Sequence, residues 1–247
     1  MKKSVNNNCD FYEDLDTNFN LACSLCERKF SKDELINMLE YGNIPEKQIA
    51  ALVFDNLNNK HDASVLISNL TGCDGKIREA VALKINTLLN KNENNKKIFA
   101  DICAEKFADA TVDINANICR LIIDSAVILK NYDNFSKKYT HLIIKKTNDA
   151  LQELDKFIFR DKKYIINKQL FKLYWCLEAL SDFYPFTDEK TLSDILEKCA
   201  NQQEYTIREK AAKIVAKSDK FDKLRKKLIN DENYYVREIF LHHPSLL

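Results

Sequence analysis

Apolar residues recur along this chain at separations of three and four rather than two. Ile49, Leu52, Val53 and Phe54 make one such stripe, and Phe11, Leu15, Phe19, Ala22 and Cys26 make another near helical spacing. That period places side chains on one face of an α-helix, not on alternate faces of a strand. The pattern predicts a first helix over 10–28, with Asp10, Glu13, Asp14 and Asp16 at its electropositive end. Ser31 with Glu34 predicts a capping box, and that helix should stop at Tyr41-Gly42, the glycine taking the left-handed conformation. Pro45 suits the first turn of the next helix, where a missing N–H costs nothing. Further helices are predicted over 62–70 (closed by Gly72), 75–90, 96–109, 113–130, 134–158, 162–184, 188–201, 205–217, 219–230 and 234–242, with breaks at Pro185 and Pro244.

One helix opening recurs. It reads Ile77-Arg78-Glu79-Ala80-Val81, Ile207-Arg208-Glu209-Lys210-Ala211 and Val236-Arg237-Glu238-Ile239-Phe240, each with Asp74, Glu204 or Asn233 four residues before the arginine. Ile114-Asn115 reads as a weaker copy, and the Pro45 context makes Lys47 its counterpart. The intervals are 30 from Lys47 to Ile77, 37 from Ile77 to Ile114 and 29 from Ile207 to Val236. The 93 residues between Ile114 and Ile207 leave room for one extra long pair. Spacings of this order are those of stacked supersecondary units, here a leading helix followed by six helix pairs.

Composition agrees. Three glycines and three prolines in 247 residues are too few for a turn-rich β architecture, and 45% hydrophobic residues can fill a core. The net charge of +1 gives no global case for nucleic acid or membrane. No apolar run approaches the roughly 20 residues a membrane helix needs, and the polar start, Met1 to Asn8, lacks the apolar core of a signal peptide. The expected setting is cytoplasmic, with the eight cysteines reduced and buried in helical stripes.

The Pro45 context and the three β-branched-arginine openings resemble HEAT repeats, whose second helix typically begins Pro-x-Val-Arg after an acidic residue. The resemblance spans 31–247, with residues 1–30 as an N-terminal tail and capping helix. It implies an all-α, right-handed solenoid of about six helix pairs. It further implies that Arg78, Arg208 and Arg237 form a structural ladder with acidic groups of their own or adjacent repeats. Asp74 to Arg78 and Glu204 to Arg208 have the i,i+4 spacing for such pairs. The intervals are shorter than the roughly 40–47 residues usual for such repeats and are similar to the short HEAT-like repeats of bilin lyases.

The candidate chemistry is sparse. Cys23-Ser24-Leu25-Cys26 has the front half of a zinc finger without a histidine half, since no histidine lies between Cys26 and His61. Two thiols, even with Cys9, fall short of four zinc ligands, so a place on a helix's buried stripe is expected and no metal or cofactor is assigned. His61, His141, His242 and His243 fall at no ligand or nucleophile spacing. Phe171 to Leu177 interleaves aromatics with lysines and holds the only tryptophan, Trp175, with Asp182 two turns on. Tryptophans and an aspartate are what HEAT-like alkylpurine DNA glycosylases use, although an aromatic stripe at this spacing is ordinarily core.

Charge is uneven. Residues 136–174 carry ten Lys/Arg against four acids, and 205–230 nine against three, a surplus of +6 in each. Lys162, Lys163, Lys168 and Lys172 with Trp175, and the stripe Lys210, Lys213 and Lys217, make up the candidate binding surface. At the C-terminal end, Tyr234, Phe240, Leu246 and Leu247 make a candidate partner or self-association contact, since an apolar last repeat needs a cover.

The reading these features support is a non-enzymatic scaffold that binds a protein on the concave surface lined by the second helices. Nucleic-acid binding or repair of the glycosylase type comes second, through the basic segments. A lyase-like enzyme comes third, on repeat period alone.

Overall fold

The computed structural model describes residues 15–156 and 163–241, with side chains from residue 20 onward except those of Lys163 and Tyr164. Among these residues every regular element is helical. The chain packs as two compact units, Met1–Phe99 and Ala100–Leu247. In order, the helices are α1 (Leu15–Cys26), α2 (Lys32–Tyr41), α3 (Ile44–Val53), α4 (Lys60–Ser68), α5 (Gly75–Lys91), α6 (Glu93–Ile102) and α7 (Ala104–Ala110). They continue with α8 (Ala116–Ile128), α9 (Asp133–Lys156), α10 (Lys163–Phe183), α11 (Glu189–Cys199), α12 (Tyr205–Ala216), α13 (Asp222–Ile229) and α14 (Tyr234–Leu241).

The caps explain most of these starts. Ser31 and Glu34 form the predicted capping box on α2, and Asn43 with Glu46 forms a second one on α3, with Pro45 in its first turn. Asn59 caps α4, Asp74 caps α5, Asn115 caps α8 and Asp188 caps α11. Each such side chain satisfies a backbone N–H that the helix cannot, worth about 1 kcal/mol.

The packing is layered. In the first unit α2 lies against α4 while α3 lies against α5. In the second, α7, α9 and α11 follow one another in one layer, and α8, α10, α12 and α14 in the other. First helices thus pack on first helices and second helices on second helices, which is the arrangement of an α-solenoid. Each pair hides an apolar flank that it could not bury alone.

α9 and α10, where the repeat signature is missing, are joined by aromatic packing. Phe135 stacks on Tyr139 with centroids 5.5 Å apart, and Phe183 meets Tyr139 edge-on at 5.0 Å. Phe107 of α7 meets Phe135 at 6.1 Å. The fully buried Tyr139 hydroxyl shares a 2.8 Å hydrogen bond with Thr111 Oγ1, so the one polar atom in the cluster is satisfied.

Several expectations change. Gly42 is not left-handed: it sits at φ −67°, ψ 161°. Glycine is required there because a Cβ would fall 2.4 Å from the Met38 carbonyl oxygen and 2.8 Å from Glu46 Cβ. The segment 96–109 is two helices, α6 and α7, interrupted at Cys103. Leu52 and Val53 are exposed, and α3 buries Pro45, Ala50 and Ala51 instead, followed by Phe54. Small residues on that face let α5 approach closely.

Cysteine burial also divides. Cys103, Cys119, Cys176 and Cys199 are buried, and desolvation pushes the last three up to about 12. Cys23 and Cys26 are exposed at the end of α1, with Leu25 taking the buried position between them. Cys73 is disulfide-bonded, contrary to the all-reduced expectation.

Two glycine substitutions should separate. Gly42→Ala should cost about 2 kcal/mol or more, because the atoms in the way include backbone. Gly72→Ala, with nothing within 4 Å of the new Cβ, should be neutral or stabilising by up to about 1 kcal/mol. Urea unfolding of the two variants beside the parent chain measures both.

Candidate functional site: loop clamps and the second-helix surface

The repeated arginine has one job at each copy. It is the fourth residue after the cap, and its backbone N–H closes the first helical turn onto the cap carbonyl: Arg78 on Asp74, Arg208 on Glu204, Arg237 on Asn233. Its guanidinium then turns back into the preceding loop. Arg78 Nη1 donates to the carbonyls of Gly72 and Cys73 at 2.7 and 3.1 Å. Arg208 Nη1 donates to Gln202 and Gln203, both at 2.8 Å. Arg237 Nη1 donates to Asp231 and Glu232 at 2.6 and 2.8 Å. In all three the acceptors lie six and five residues upstream. The guanidinium fork fastens the inter-helix loop to the helix that follows it.

The same geometry identifies the copy in α8. Cys119 N–H bonds to the Asn115 carbonyl, and Cys119 Sγ donates to the Asp113 carbonyl, six residues back, at 3.1 Å. Ile118 is fully buried, like Ile207 and Val236, whereas Ile114 is 82% exposed. The copy is therefore Ile118-Cys119, four residues later than the sequence motif suggested, with a thiol in the arginine position. Counted between caps, Asn43, Asp74 and Asn115 lie 31 and 41 apart.

The ion pairs also differ from the i,i+4 expectation. The Asp74 carboxylate accepts from the Lys76 and Ile77 N–H groups as a cap. Arg208 reaches into the next repeat, with Nε on Asp231 Oδ2 at 2.8 Å, Nη2 on Asp231 Oδ1 at 3.0 Å and Nη2 on Glu232 at 3.2 Å. Burial alone would raise the Asp231 carboxyl. The Arg208 hydrogen bonds, the Asn233 N–H and the charges of Arg208 and Arg237 outweigh it and hold the carboxyl below its ordinary value. Arg208 is raised in turn, first by its bond to Asp231.

On the second-helix surface of this unit, charges alternate between neighbouring helices. Lys210 of α12, only 3% exposed, pairs with Glu178 of α10 and lies 4.3 Å from the centre of the Tyr174 ring. Burial would lower its ammonium, but Glu178 and Tyr174 more than compensate. Lys217 donates to the Ser181 carbonyl at 2.9 Å and meets Asp182 at 3.3 Å. Lys213 pairs with Glu209, and Lys220 with Glu189. On α8, burial raises the Asp124 carboxyl; Arg120 opposes this, while Asp182 and Glu178 add to the rise. Lys210 and Lys217 are thus cross-links to α10 and Lys213 is tied along α12 itself, so the three do not form an open cationic stripe.

Other sequence candidates scatter. Trp175 is 7% exposed and packs edge-on against Phe171 and Tyr174, so its faces are not open for bases to stack on. Lys168 is exposed and Lys172 half-buried. Lys162, the Lys163 side chain, Leu246, Leu247 and His242-His243 lie outside the described residues, as do Cys9 and residues 10–14 of the first predicted helix. Tyr234 is exposed, whereas Phe240 is buried, its ring 5.8 Å from the Arg225 guanidinium. Among the described residues no group of three or more His, Cys, Asp or Glu side chains could hold a metal, and no helix is long and apolar enough to cross a membrane.

What periodicity missed is an apolar groove in the first unit. Leu52 of α3 and Leu83 of α5 are 41% and 49% exposed, and they line a groove of about 250 Å³ with Gln48, Lys76, Glu79 and Ala80. Val53 is exposed as well but does not line it. Periodicity places a leucine on a stripe but does not say which side of the helix the next pair covers.

The packing and loop clamps define an all-α protein of the helical-repeat solenoid class. No family model and no curated protein matches the chain. Among solved structures it is similar to a designed armadillo repeat protein, at 11% identity over 88% of this chain and all of that one, with a TM-score of 0.45. Two engineered proteins match at 12% and 13% identity, over 86% and 87% of this chain and 96% and 98% of theirs, with TM-scores of 0.44 and 0.47. At this level the fold assignment rests on the helix packing itself.

Arg208→Met should destabilise the chain by about 3–5 kcal/mol, since it strands the buried Asp231 carboxylate as well as two carbonyls. The same change at the half-buried Arg237 should cost about 1–2 kcal/mol. Because the folded Asp231 carboxyl lies below its unfolded value, its contribution is present at neutral pH and is lost as pH falls below about 4.5. The urea midpoint difference between the parent and Asp231→Asn should shrink between pH 5 and pH 3, the unfolded aspartate titrating near about 4.

Proposed function

We propose that the chain is a non-enzymatic scaffold that binds a partner protein across its second helices. The observation that supports this most directly is the exposed pair Leu52 and Leu83, on α3 and α5, that lines one groove. Leaving such a groove in water is unfavourable by about 25 cal/mol per Å² of apolar surface, and a partner's apolar side chains would remove that cost. Lys76 and Glu79 at its edge offer both signs of charge for fixing register. A neutral overall balance and paired α12 lysines fit a protein ligand better than a phosphate backbone, which needs uncompensated cations.

The test is proximity capture of partners in the native cell with the parent chain and a Leu52→Asp/Leu83→Asp variant. The expected outcome is one or more partners lost at least tenfold in the variant while its thermal unfolding changes little, both positions being partly solvated already. Equal capture by both chains sinks the assignment to this groove. Tight duplex DNA binding with a steep salt dependence would favour the nucleic-acid alternative instead.

A further inference from the structure

A second surface lies in the other unit and uses none of the groove residues. Tyr205 opens α12, and Tyr234 and Tyr235 open α14. Tyr205 and Tyr235 are stacked with centroids 6.0 Å apart and planes at 28°, and Tyr234 meets Tyr235 edge-on at 5.7 Å. Tyr234 and Tyr235 are 55% and 57% exposed. Three phenol rings thus form one contiguous aromatic cluster on the surface. Most exposed tyrosines stand singly; a group held in mutual contact on rigid helix starts is a preorganised contact area of low entropic cost.

The surrounding charge identifies the partner. Glu204 precedes Tyr205, Asp231 and Glu232 precede Tyr234, and Glu238 accepts from the Tyr234 hydroxyl at 3.1 Å. Glu232 is 88% exposed. The arginines of these two helix openings, Arg208 and Arg237, are turned inward onto loop carbonyls, and Arg208 is 8% exposed. Asp231 is itself buried on Arg208, so Glu204, Glu232 and Glu238 are the carboxylates of the rim, and with the guanidiniums turned inward they leave the solvent side of the cluster acidic. Phosphate-bearing ligands are repelled by such a rim, although aromatic rings alone would stack bases well. Cations are attracted both by the carboxylates and by the electron-rich ring faces.

We propose that Tyr205, Tyr234 and Tyr235, rimmed by Glu204, Glu232 and Glu238, form a docking surface for a cationic segment of a partner protein, with arginine or lysine side chains laid over the phenol rings. Arginine fits best, since its planar guanidinium stacks on a ring while its N–H groups reach a carboxylate.

The probes are fluorescein-labelled peptides of alternating arginine and glycine, of alternating glutamate and glycine, and a single-stranded oligonucleotide, titrated with the full chain and followed by anisotropy. The expected result is saturable binding of the arginine peptide, weakened by salt, and none of the other two. Tyr234→Ser/Tyr235→Ser and Glu232→Gln should each weaken it, the first at least tenfold, with circular dichroism and thermal unfolding preserved. Tyr235→Phe, which keeps the ring, should bind within about twofold of the parent. The proposal fails if the arginine peptide does not bind, if the double tyrosine variant binds as the parent does, or if the oligonucleotide binds more tightly. Loss of arginine-peptide binding in Leu52→Asp/Leu83→Asp but not in the tyrosine variant would also overturn it, by assigning the peptide to the other surface.

Discussion

A short helix with one apolar flank cannot stand by itself in water, and among the described residues most helices run to seventeen residues or fewer. Everything else depends on second helices lying directly against second helices. Ile118, Ile207 and Val236 are buried on the second helices of the second unit, as Ile77 is on α5 of the first. Alanines beside them, Ala50 and Ala51 on α3, Ala80 to Ala82 flanking Val81 on α5, and Ala211 and Ala212 on α12, keep the axes close. Bulkier side chains there would hold neighbouring helices of each unit apart and forfeit dispersion contacts between them.

Stacking sets distance but not register, and the loop clamps supply register. An inter-helix loop has carbonyls that no helix satisfies. Each repeated arginine collects two of them and so fixes the loop on the helix it feeds. At Arg208 the same guanidinium also holds Asp231 of the following loop, coupling one repeat to the next through a buried, hydrogen-bonded ion pair. At Cys119 a thiol makes one weak bond in the same place. The 133–183 stretch uses the Phe107–Phe135–Tyr139–Phe183 ring cluster instead, replacing polar register by shape.

These devices consume much of the polar chemistry a reader of the sequence would credit to ligand binding. Lys210 and Lys217 join α12 to α10, Trp175 fills core, and four cysteines are inert hydrophobes with thiols raised by burial. The exposed large apolar side chains include the leucines Leu52 and Leu83 on α3 and α5, and the tyrosines Tyr234 and Tyr235 that open α14.

The helical class, the leading helix with six pairs, and most starts were legible along the chain, because caps and 3.6-residue periodicity act over four or five residues and need no distant partner. Asp74, Glu204 and Asn233 could be found for that reason. The copy in α8 was misplaced by one turn: Ile114-Asn115 imitates the motif locally, and only the burial of Ile118 reveals which turn faces the stack. Whether Leu52 or Ala51 points inward, whether Lys210 is a free cation or a cross-link, and whether Arg208 chooses Glu204 or Asp231 depend on what the neighbouring pair brings alongside. Burial and pairing are properties of two surfaces in contact, and a single strand of letters specifies only one of them at a time.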